Sequence, residues 1–333
     1  MATFKIYKLH FTAPLHIGDK RDDEGVSMRT IQSDTLIAAL TAVLAKVGEK
    51  IPADGDLGFT VSSLFPYYQA GKESRVSYFL PMPLQSRLPE LTDVGNAKVV
   101  KKIRWVDAEF YPSILAGENL FDGKSEHFEH IHGEYLSSSL IPDDFIRSEV
   151  CQRVKIEDRT GKSDALPYYV DRITFAPGAG FYFLATGDTE LLDKGMNILT
   201  QWGLGTDRNV GYGFFEYTTD ELTIGTPAGA DHVVSMSMLI PADKKQLEEL
   251  LASDEIAYEF TRRGGWITSM PHNRLRKNAI YAFMPGSVFN KPQSDSCGTI
   301  VDLAPAIVKD SKDSKDSHSV WRDGRAILLP IKR

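Results

Sequence analysis

The fold assignment rests on residues 203–217, which read GLGTDRNVGYGFFEY. Four of the first eleven residues are glycine, and the stretch ends in an aromatic run that starts at Phe214. The preceding residues, 189–202, carry apolar side chains at helical spacing, which predicts a helix. Residues 203–213, called the glycine loop from here on, therefore connect a helix to a strand.

Working outward to the N terminus, the same kinds of element recur. Residues 3–11 alternate apolar and polar side chains and are rich in β-branched and aromatic residues, which predicts a half-buried strand. Residues 33–48 show helical spacing, with Ser33 as the predicted N-cap. Further strands are predicted near residues 77–80, 173–175 and 180–185. The resulting order of elements is βαββαβ, the order of a ferredoxin-like fold.

The C-terminal part opens in the same way. Residues 233–241, VVSMSMLIP, predict a strand, and residues 242–251 predict a short helix after it. Further strands are predicted at residues 257–261, 279–283, 299–303 and 326–330. The polar repeat KDSKDSKDS begins at Lys309 and has no apolar side chain, so we expect a mobile loop at about 309–318.

The predicted fold class is therefore α+β, with two ferredoxin-like (RRM-like, βαββαβ) domains. The first is expected over residues 1–225, with a large irregular insertion at about 81–145, and the second over residues 226–333. A chain of 333 residues is long enough for two such domains.

The net charge argues against nucleic-acid binding, whereas the distribution of charge along the chain favours it. With 38 Lys and Arg against 45 Asp and Glu, the formal net charge is −7, which argues against a polybasic nucleic-acid coat. Two segments are nevertheless positive: residues 147–162 hold five cations against three acids, and residues 258–280 hold five against one. The second segment also contains Tyr258, Trp266 and His272, a mixture that suits single-stranded nucleic acid. A solvated charged face would have the same composition.

The cysteine content and the hydropathy of the sequence exclude several classes of protein. Cys151 and Cys297 are the only cysteines, too few for a disulfide scaffold or a four-cysteine zinc site. The N-terminal residues do not resemble a signal peptide, and no stretch reaches the roughly 18 apolar residues that cross a bilayer. We therefore expect a cytoplasmic protein without a membrane segment.

The glycine loop is the strongest local indication of chemistry. Its glycines permit positive φ and let backbone N–H groups face a phosphate chain, while Arg208 and Asn209 supply side-chain donors. No Gly-Lys-Ser/Thr follows, so the loop is not a Walker A motif. A glycine-rich turn shaped only for packing is the alternative.

Catalytic and metal sites have weaker support. His10 and His16 could act as acid and base in RNA cleavage by 2′-hydroxyl attack, or be structural histidines. A histidine group at 127, 130 and 132 with two glutamates could bind zinc or nickel, although it lacks an HExxH register and also fits a polar loop. The acidic residues 22–24 fit a solvated turn. We predict no catalytic residue, no metal and no cofactor.

Three motifs carry a resemblance to a known family. FTAPLHIG (11–18), IQSDTLIAAL (31–40) and the glycine loop together resemble the RAMP proteins of CRISPR systems. Three C-terminal motifs are similar to the fourth subunit of the type III-A, or Csm, effector complex: RRGGW (262–266), RKNAIYAFMPGSVF (276–289) and VWRDGRAILLPI (320–331). The insertion matches least.

The resemblance implies a non-catalytic RNA-binding subunit in antiviral defence. Such a subunit caps the complex, holds the crRNA 5′ handle, and contacts the large polymerase-like subunit and the backbone RAMP subunit; it meets target RNA only indirectly. The insertion would supply a projecting thumb hairpin. EDRTGK (157–162) would correspond to an arginine-bearing stretch, and His16 and Ser33 would face the crRNA.

The predicted RNA-binding residues combine the glycine loop, the first strand-helix junction and the two cationic segments. They are His16, Ser33, Lys155, Arg159, Gly203, Gly205, Arg208, Asn209, Gly211, Gly213, Arg262, Arg263, Arg274, Arg276 and Lys277. Two other hypotheses stay open. One is a metal-independent RAMP endoribonuclease that processes CRISPR precursor RNA, and the other is a scaffold that binds only proteins.

Overall fold

The structure, a computed structural model, describes residues 1–333 except 21–22, 86–93, 122–125, 156–165, 295 and 310–316. Arg159 and most of the predicted mobile loop at about 309–318 therefore lie outside the described residues. The described chain is an α+β fold built around one large sheet. None of its helices is long and apolar enough to cross a membrane.

The N-terminal part, residues 1–225, supplies the strands of the large sheet. Its strands are β1 (Ala2–Phe11), β2 (Gly18–Lys20), β3 (Asp23–Ser27), β4 (Phe59–Val61), β5 (Phe65–Tyr68), β6 (Ser77–Pro81), β7 (Trp105–Asp107), β8 (Ile131–His132), β9 (Tyr135–Leu136), β10 (Ile146–Lys155), β11 (Leu166–Phe175), β12 (Ala179–Gly187) and β13 (Phe215–Ile224). Its helices are α1 (Ser33–Lys46), α2 (Val94–Val100), α3 (Tyr111–Leu115) and α4 (Glu190–Trp202).

The large sheet has the order β13-β1-β12-β5-β6-β7-β9-β8, and β4 also pairs with β12. Helices α1 and α4 pack together on one face, where Gly195 leaves room for Leu40 and Leu44. Both faces of β1 are buried, with Tyr7 and Leu9 under the helices and Ile6 on the opposite side. The half-buried strand predicted from alternation is thus a central strand, because a second core covers its other face.

The insertion is more regular than its sequence indicates. Strands β7, β9 and β8 extend the large sheet beyond β6, and Val106, Tyr111 and Leu136 are fully buried in its second core. Strands of two or three residues are too short to show a period of two, so the sequence pattern could not reveal them.

A long antiparallel hairpin, β10–β11, follows the insertion, and in the part of the chain that the structure describes it pairs with no strand of the large sheet. Each strand has ten residues, about 33 Å at roughly 3.3 Å per residue. The thumb hairpin is predicted inside residues 81–145, whereas this ribbon lies after them, in the first of the two cationic segments.

The C-terminal part is made of shorter elements. They are β14 (His232–Ser235), α5 (Lys244–Leu250), β15 (Phe260–Arg263), β16 (Ile280–Phe283), β17 (Val288–Asn290), β18 (Ile300–Asp302), α6 (Ala306–Lys309), β19 (Trp321–Asp323) and β20 (Leu328–Ile331). A three-stranded sheet has the order β17-β14-β20, and β15–β16 and β18–β19 form two separate pairs. Val234, Val288 and Leu329 share one core cluster with Ile6, so the N- and C-terminal parts are packed through common apolar contacts.

The start of α1 differs from the prediction. The N-cap is Gln32, which makes no side-chain capping bond, and Ser33 is the first helical residue. The Ser33 hydroxyl accepts a hydrogen bond from the N–H of Met238 instead, at 2.9 Å. The local sequence assigns the Ser33 hydroxyl to the helix cap, but this hydroxyl binds a residue 205 positions away instead.

Candidate nucleic-acid interface

The glycine loop has the backbone geometry that its composition predicts. Gly203, Gly205, Gly211 and Gly213 have φ of +73°, +84°, +94° and +74°. A Cβ on Gly213 would lie 1.8 Å from the carbonyl oxygen of Leu204, and one on Gly205 would lie 2.4 Å from that of His16. Both positions therefore need glycine for space as well as for φ, whereas Gly211 has nothing within 4 Å of such a Cβ.

Backbone hydrogen bonds tie the loop to the chain after β1. The N–H of Gly213 donates to the carbonyl of Pro14 at 2.8 Å, and that of Thr206 donates to the carbonyl of His16 at 2.9 Å. The N–H of Leu204 closes the loop on the carbonyl of Gly213 at 2.9 Å. These three N–H groups are used within the protein, so they are not available to a phosphate.

The tip of the loop is the part that faces solvent. Arg208 and Asn209 are exposed and begin a short 3-10 turn, whereas Gly203 and Gly213 are buried. The guanidinium of Arg208 lies 3.5 Å from the carbonyl oxygen of Gly203, at the limit of a hydrogen bond. The loop therefore presents a cation and an amide outward on a base fixed by glycines.

His16 is enclosed by the base of the long hairpin. Only 2% of its surface is exposed, and its Nδ1 lies 2.6 Å from the carbonyl oxygen of Asp171 in β11. The Asp171 carboxylate accepts hydrogen bonds from the N–H of Ser27 at 2.9 Å and from the hydroxyl of Ser148 at 2.6 Å. This network fixes the turn after β1 against the hairpin, and it encloses the His16 side chain. His10, by contrast, is exposed on β1.

The hairpin also contacts the glycine loop directly. The guanidinium of Arg153 forms an ion pair with Asp207 at 3.1 Å and lies 4.5 Å from the ring centre of Tyr212. Asp207 itself has φ of +58°. The side chains of Arg153 and Asp207 were not predicted as site residues, and no local signal marks a pair 54 positions apart. Lys155 ends β10, and only its backbone is described.

The second cationic segment divides into residues with different roles. Arg263 forms a two-pronged ion pair with Asp34, at 2.7 Å and 2.8 Å, and also donates to Thr35. Arg322 donates to the same carboxylate at 2.8 Å, and Asp34 is fully buried. Burial alone would raise the pKa of Asp34, but the two guanidinium groups hold that pKa below its usual value. Arg263 therefore joins the C-terminal part to α1.

Lys277 lies beside this ion-pair cluster. Burial and, after it, the charge of Arg322 lower the pKa of its ammonium to about 8, against the opposing effect of the Asp34 carboxylate. Ser33, Arg263 and Lys277 are thus brought together at the junction of the two parts. The other cations stay outward: Arg262, Arg274 and Arg276 are exposed, and Arg276 lies 5.0 Å from the ring centre of Trp266.

The histidine group of the insertion packs with aromatic side chains. The ring of His127 lies 5.1 Å from that of Phe110 and 6.1 Å from that of His130. Within the described ranges, no three His, Cys, Asp or Glu side chains are grouped so that they could hold a metal ion.

Both the sequence and the fold of this chain are similar to those of known Csm4 proteins. Residues 228–331 match the family model described as CRISPR Csm4 C-terminal domain. The "CRISPR system Cms protein Csm4" of Mycobacterium tuberculosis (strain H37Rv) is 29% identical to this chain, over 93% of each chain. The protein of that name from Streptococcus thermophilus is 27% identical, over 91% of this chain and 93% of its own.

Solved structures share the fold. A Csm1-Csm4 cassette in complex with cA4 matches with a TM-score of 0.60 and 19% identity, over 99% of this chain and 98% of that chain. A Csm3-Csm4 subcomplex in the type III-A CRISPR-Cas interference complex matches with a TM-score of 0.61 and 18% identity, over 99% and 100%. The fold is thus that of a RAMP-like α+β protein. This chain is similar to Csm4 proteins of type III-A CRISPR systems over nearly its whole length, and the predicted resemblance is confirmed.

Proposed function

We propose that this protein is a non-catalytic crRNA-binding subunit of a type III-A CRISPR interference complex. It holds the 5′ handle of the crRNA and bridges the large signalling subunit to the backbone filament in the cytoplasm. The observation that carries the proposal is the glycine loop, which exposes Arg208 and Asn209 and is contacted by Arg153 near the C-terminal end of β10.

The strand order supports two ferredoxin-like units. In the βαββαβ scheme, β1, β5, β12 and β13 are the first to fourth strands, and their order in the sheet, fourth-first-third-second, is the one expected for that fold. In the C-terminal unit the order β20-β14-β17 follows the same scheme, and α5 follows its first strand. Its second helix, α6, has only four residues. We therefore interpret the second unit as a shortened copy of the first.

A handle-binding subunit needs a few placed cations and open π-faces rather than a uniformly positive surface. The exposed side chains of Arg208, Arg262, Arg274 and Arg276 meet that need in a chain of net charge −7. The acidic excess remains for solubility and for contacts with protein neighbours.

The partners are proposed from the relatives. Solved Csm4 proteins occur with Csm1 in a cassette and with Csm3 in a subcomplex. We assign the corresponding large subunit and backbone RAMP subunit to this chain. The long β10–β11 hairpin, rather than the insertion, is then the element with the shape of a projecting thumb.

The test of RNA binding uses the exposed tip of the glycine loop. Replacing Arg208 and Asn209 together by Ala should weaken binding of handle RNA about tenfold, because a cation and a donor are lost at the backbone. The dependence of log affinity on log salt should also flatten by about 0.7 for each lost phosphate contact. The measurement is a salt titration of RNA binding, followed by assembly with the partner subunits.

The control is Arg104→Ala, which removes an exposed arginine of the insertion whose nearest acidic partner, Glu134, is 3.7 Å away. It should bind handle RNA like the unmodified chain. Unchanged RNA affinity and unchanged assembly in the Arg208/Asn209 variant would refute the proposal.

The endoribonuclease alternative is tested by incubation of the purified chain with repeat RNA. Because His16 is enclosed, with its Nδ1 on a backbone carbonyl, we expect intact RNA. Cleavage that is lost in His16→Ala would favour the enzyme over the binding subunit.

A further inference from the structure

The outer face of the β15–β16 hairpin exposes an unusual set of aromatic side chains. Phe260 pairs with Phe283 and Arg262 pairs with Tyr281, and directly opposed residues of an antiparallel pair share one face. Phe260 is 59% exposed and Tyr281 is 61% exposed, while Tyr258, just before β15, is 41% exposed. Adjacent large aromatic side chains left open to water usually mark a binding surface.

These rings are anchored on a buried core. The ring of Tyr258 lies 5.2 Å from that of Phe283 and 6.4 Å from that of Phe289, both of which are buried. Phe260 continues the row at 6.5 Å from Tyr258, and Tyr281 meets Phe260 edge-on at 5.8 Å. The exposed rings are thus held in place before any partner binds, which lowers the entropic cost of binding.

The charge on this face has one sign. Arg262 lies opposite Tyr281 and two residues after Phe260, whereas Arg263, on the other face of the hairpin, is paired with Asp34. Exposed Arg274 and Arg276 precede β16 in the chain. Strand alternation directs the neighbouring acid, Glu259, away from the face of Phe260 and Arg262. Cations interleaved with open aromatic rings are complementary to a strand that offers phosphates and unpaired bases.

We propose that Tyr258, Phe260, Arg262 and Tyr281, together called the aromatic platform, stack unpaired bases of single-stranded RNA while Arg262 binds a phosphate. The proposal rests on the proposed function and extends it, because Phe260 and Tyr281 are not among the residues predicted from the sequence. A glycine loop can hold only the backbone. The platform adds contacts with the bases themselves, at a second place on the chain.

The test compares two strands on the full-length chain: a short unstructured RNA, and a ribose-phosphate strand of the same length without bases. Phe260→Ala combined with Tyr281→Ala should weaken binding of the RNA at least about fivefold, the lower end of the loss per stacked base. Binding of the strand without bases should not change. Both side chains are largely exposed, so the variant should keep the thermal unfolding midpoint of the unmodified chain.

Three further variants make the result specific. Phe260→Tyr with Tyr281→Phe keeps two rings and should restore RNA binding. Ile307→Ala removes an exposed apolar side chain elsewhere and should have no effect. Arg208→Ala should weaken binding of both strands, because it acts on the backbone, and so separates the two proposals.

The unmodified chain gives a second readout. RNA that carries photoreactive uridines should form cross-links to Tyr281 or Phe260, detectable by mass spectrometry of the digested chain. The platform proposal is overturned if the double Ala variant binds both strands like the unmodified chain, or if it binds RNA normally but fails to associate with the large subunit. The second outcome would make this face a protein interface. If the unmodified chain binds neither strand, the proposed function itself fails.

Discussion

A single carboxylate, that of Asp34, holds two guanidinium groups from the other part of the chain. Arg263 and Arg322 both contact it, and the ammonium of Lys277 lies within their field. Three cations around one anion leave an excess of positive charge in a place with little water. Such an excess costs free energy unless one of the cations can lose its proton.

Replacing Lys277 by Met should therefore stabilise the protein near neutral pH. The pKa of Lys277 is about 8 in the folded chain, below its ordinary 10.5, so the folded state binds fewer protons between these values and stability rises with pH across that window. Below pH 8 the full cost of the charged lysine is present. We expect Lys277→Met to raise the free energy of unfolding at pH 7 by about 1–2 kcal/mol, allowing for partial solvent screening.

The measurement is urea unfolding of both proteins from pH 6 to pH 10.5. The advantage of Lys277→Met should shrink as the pH rises through 8 and vanish near 10.5. Lys277→Arg, which stays charged throughout, should show no such gain with pH. A difference between Met and Lys that is the same at every pH would mean that the charge of Lys277 has no cost.

At the residue scale, the sequence predicts Arg263 as an RNA-binding residue but does not predict its ion pair with Asp34. Their ion pair joins residues 229 positions apart, and no local spacing encodes such a contact. The positive φ of the four glycines was predictable because few other residues adopt that backbone conformation.

Among the elements, the glycine loop gives the sharpest test. Gly213→Ala would place a Cβ 1.8 Å from the carbonyl oxygen of Leu204, so the backbone would have to move. The φ of residue 213 is +74°, a value that alanine rarely adopts. We expect a loss of at least about 3 kcal/mol in the free energy of unfolding, since strain and a broken loop closure add. Thermal and urea unfolding measure it.

Gly211→Ala is the matched comparison. Its φ is +94°, but nothing lies within 4 Å of the added Cβ, so only the backbone strain of about 1–2 kcal/mol applies. Equal losses for Gly211→Ala and Gly213→Ala would show that conformation, and not the close approach of Leu204, requires glycine at both positions.

Prediction of elements succeeded where a period was long enough to see. Helix α4 was expected at residues 189–202 and is found at Glu190–Trp202. The strands of the insertion are too short to show any period, so the sequence does not predict them. Of the β10–β11 ribbon, the sequence predicts only the strand at residues 173–175. The described residues of β10 have no buried side chain, so no alternation of apolar and polar residues marks that strand.

For the whole molecule, the two parts share one hydrophobic core. Phe4, Ile6 and Tyr182 of the large sheet lie in the same cluster as Val234 and Leu329 of the C-terminal part. Residues on both sides of the boundary predicted between residues 225 and 226 therefore contribute to this cluster, whereas other core clusters lie on one side of it.

Residues 226–333 expressed alone should therefore lack a cooperative unfolding transition. The fragment would expose the apolar face that the large sheet normally covers, and Arg263 and Arg322 would lose Asp34. Calorimetry and dye binding to exposed apolar surface measure this, with the full chain as control. A sharp transition with native-like side-chain signals would contradict the prediction.

The sequence predicts the α+β class and predicts that each of the two parts begins with a strand followed by a helix. How the parts pack against each other is not predicted, because that depends on contacts such as Ser33 with Met238 and Ser237 with Val61. Each joins residues more than 170 positions apart.

The shared core also has a mechanical meaning. Helix α1 begins at the ion-pair cluster of the C-terminal part and packs along its length against α4, which runs directly into the glycine loop. The glycine loop is thus linked to the β15–β16 hairpin by contacts of α4 with α1 and of α1 with Arg263, and not by a flexible linker. The glycine loop and the β15–β16 hairpin are therefore connected through packed side chains, so displacing one of them should strain the other.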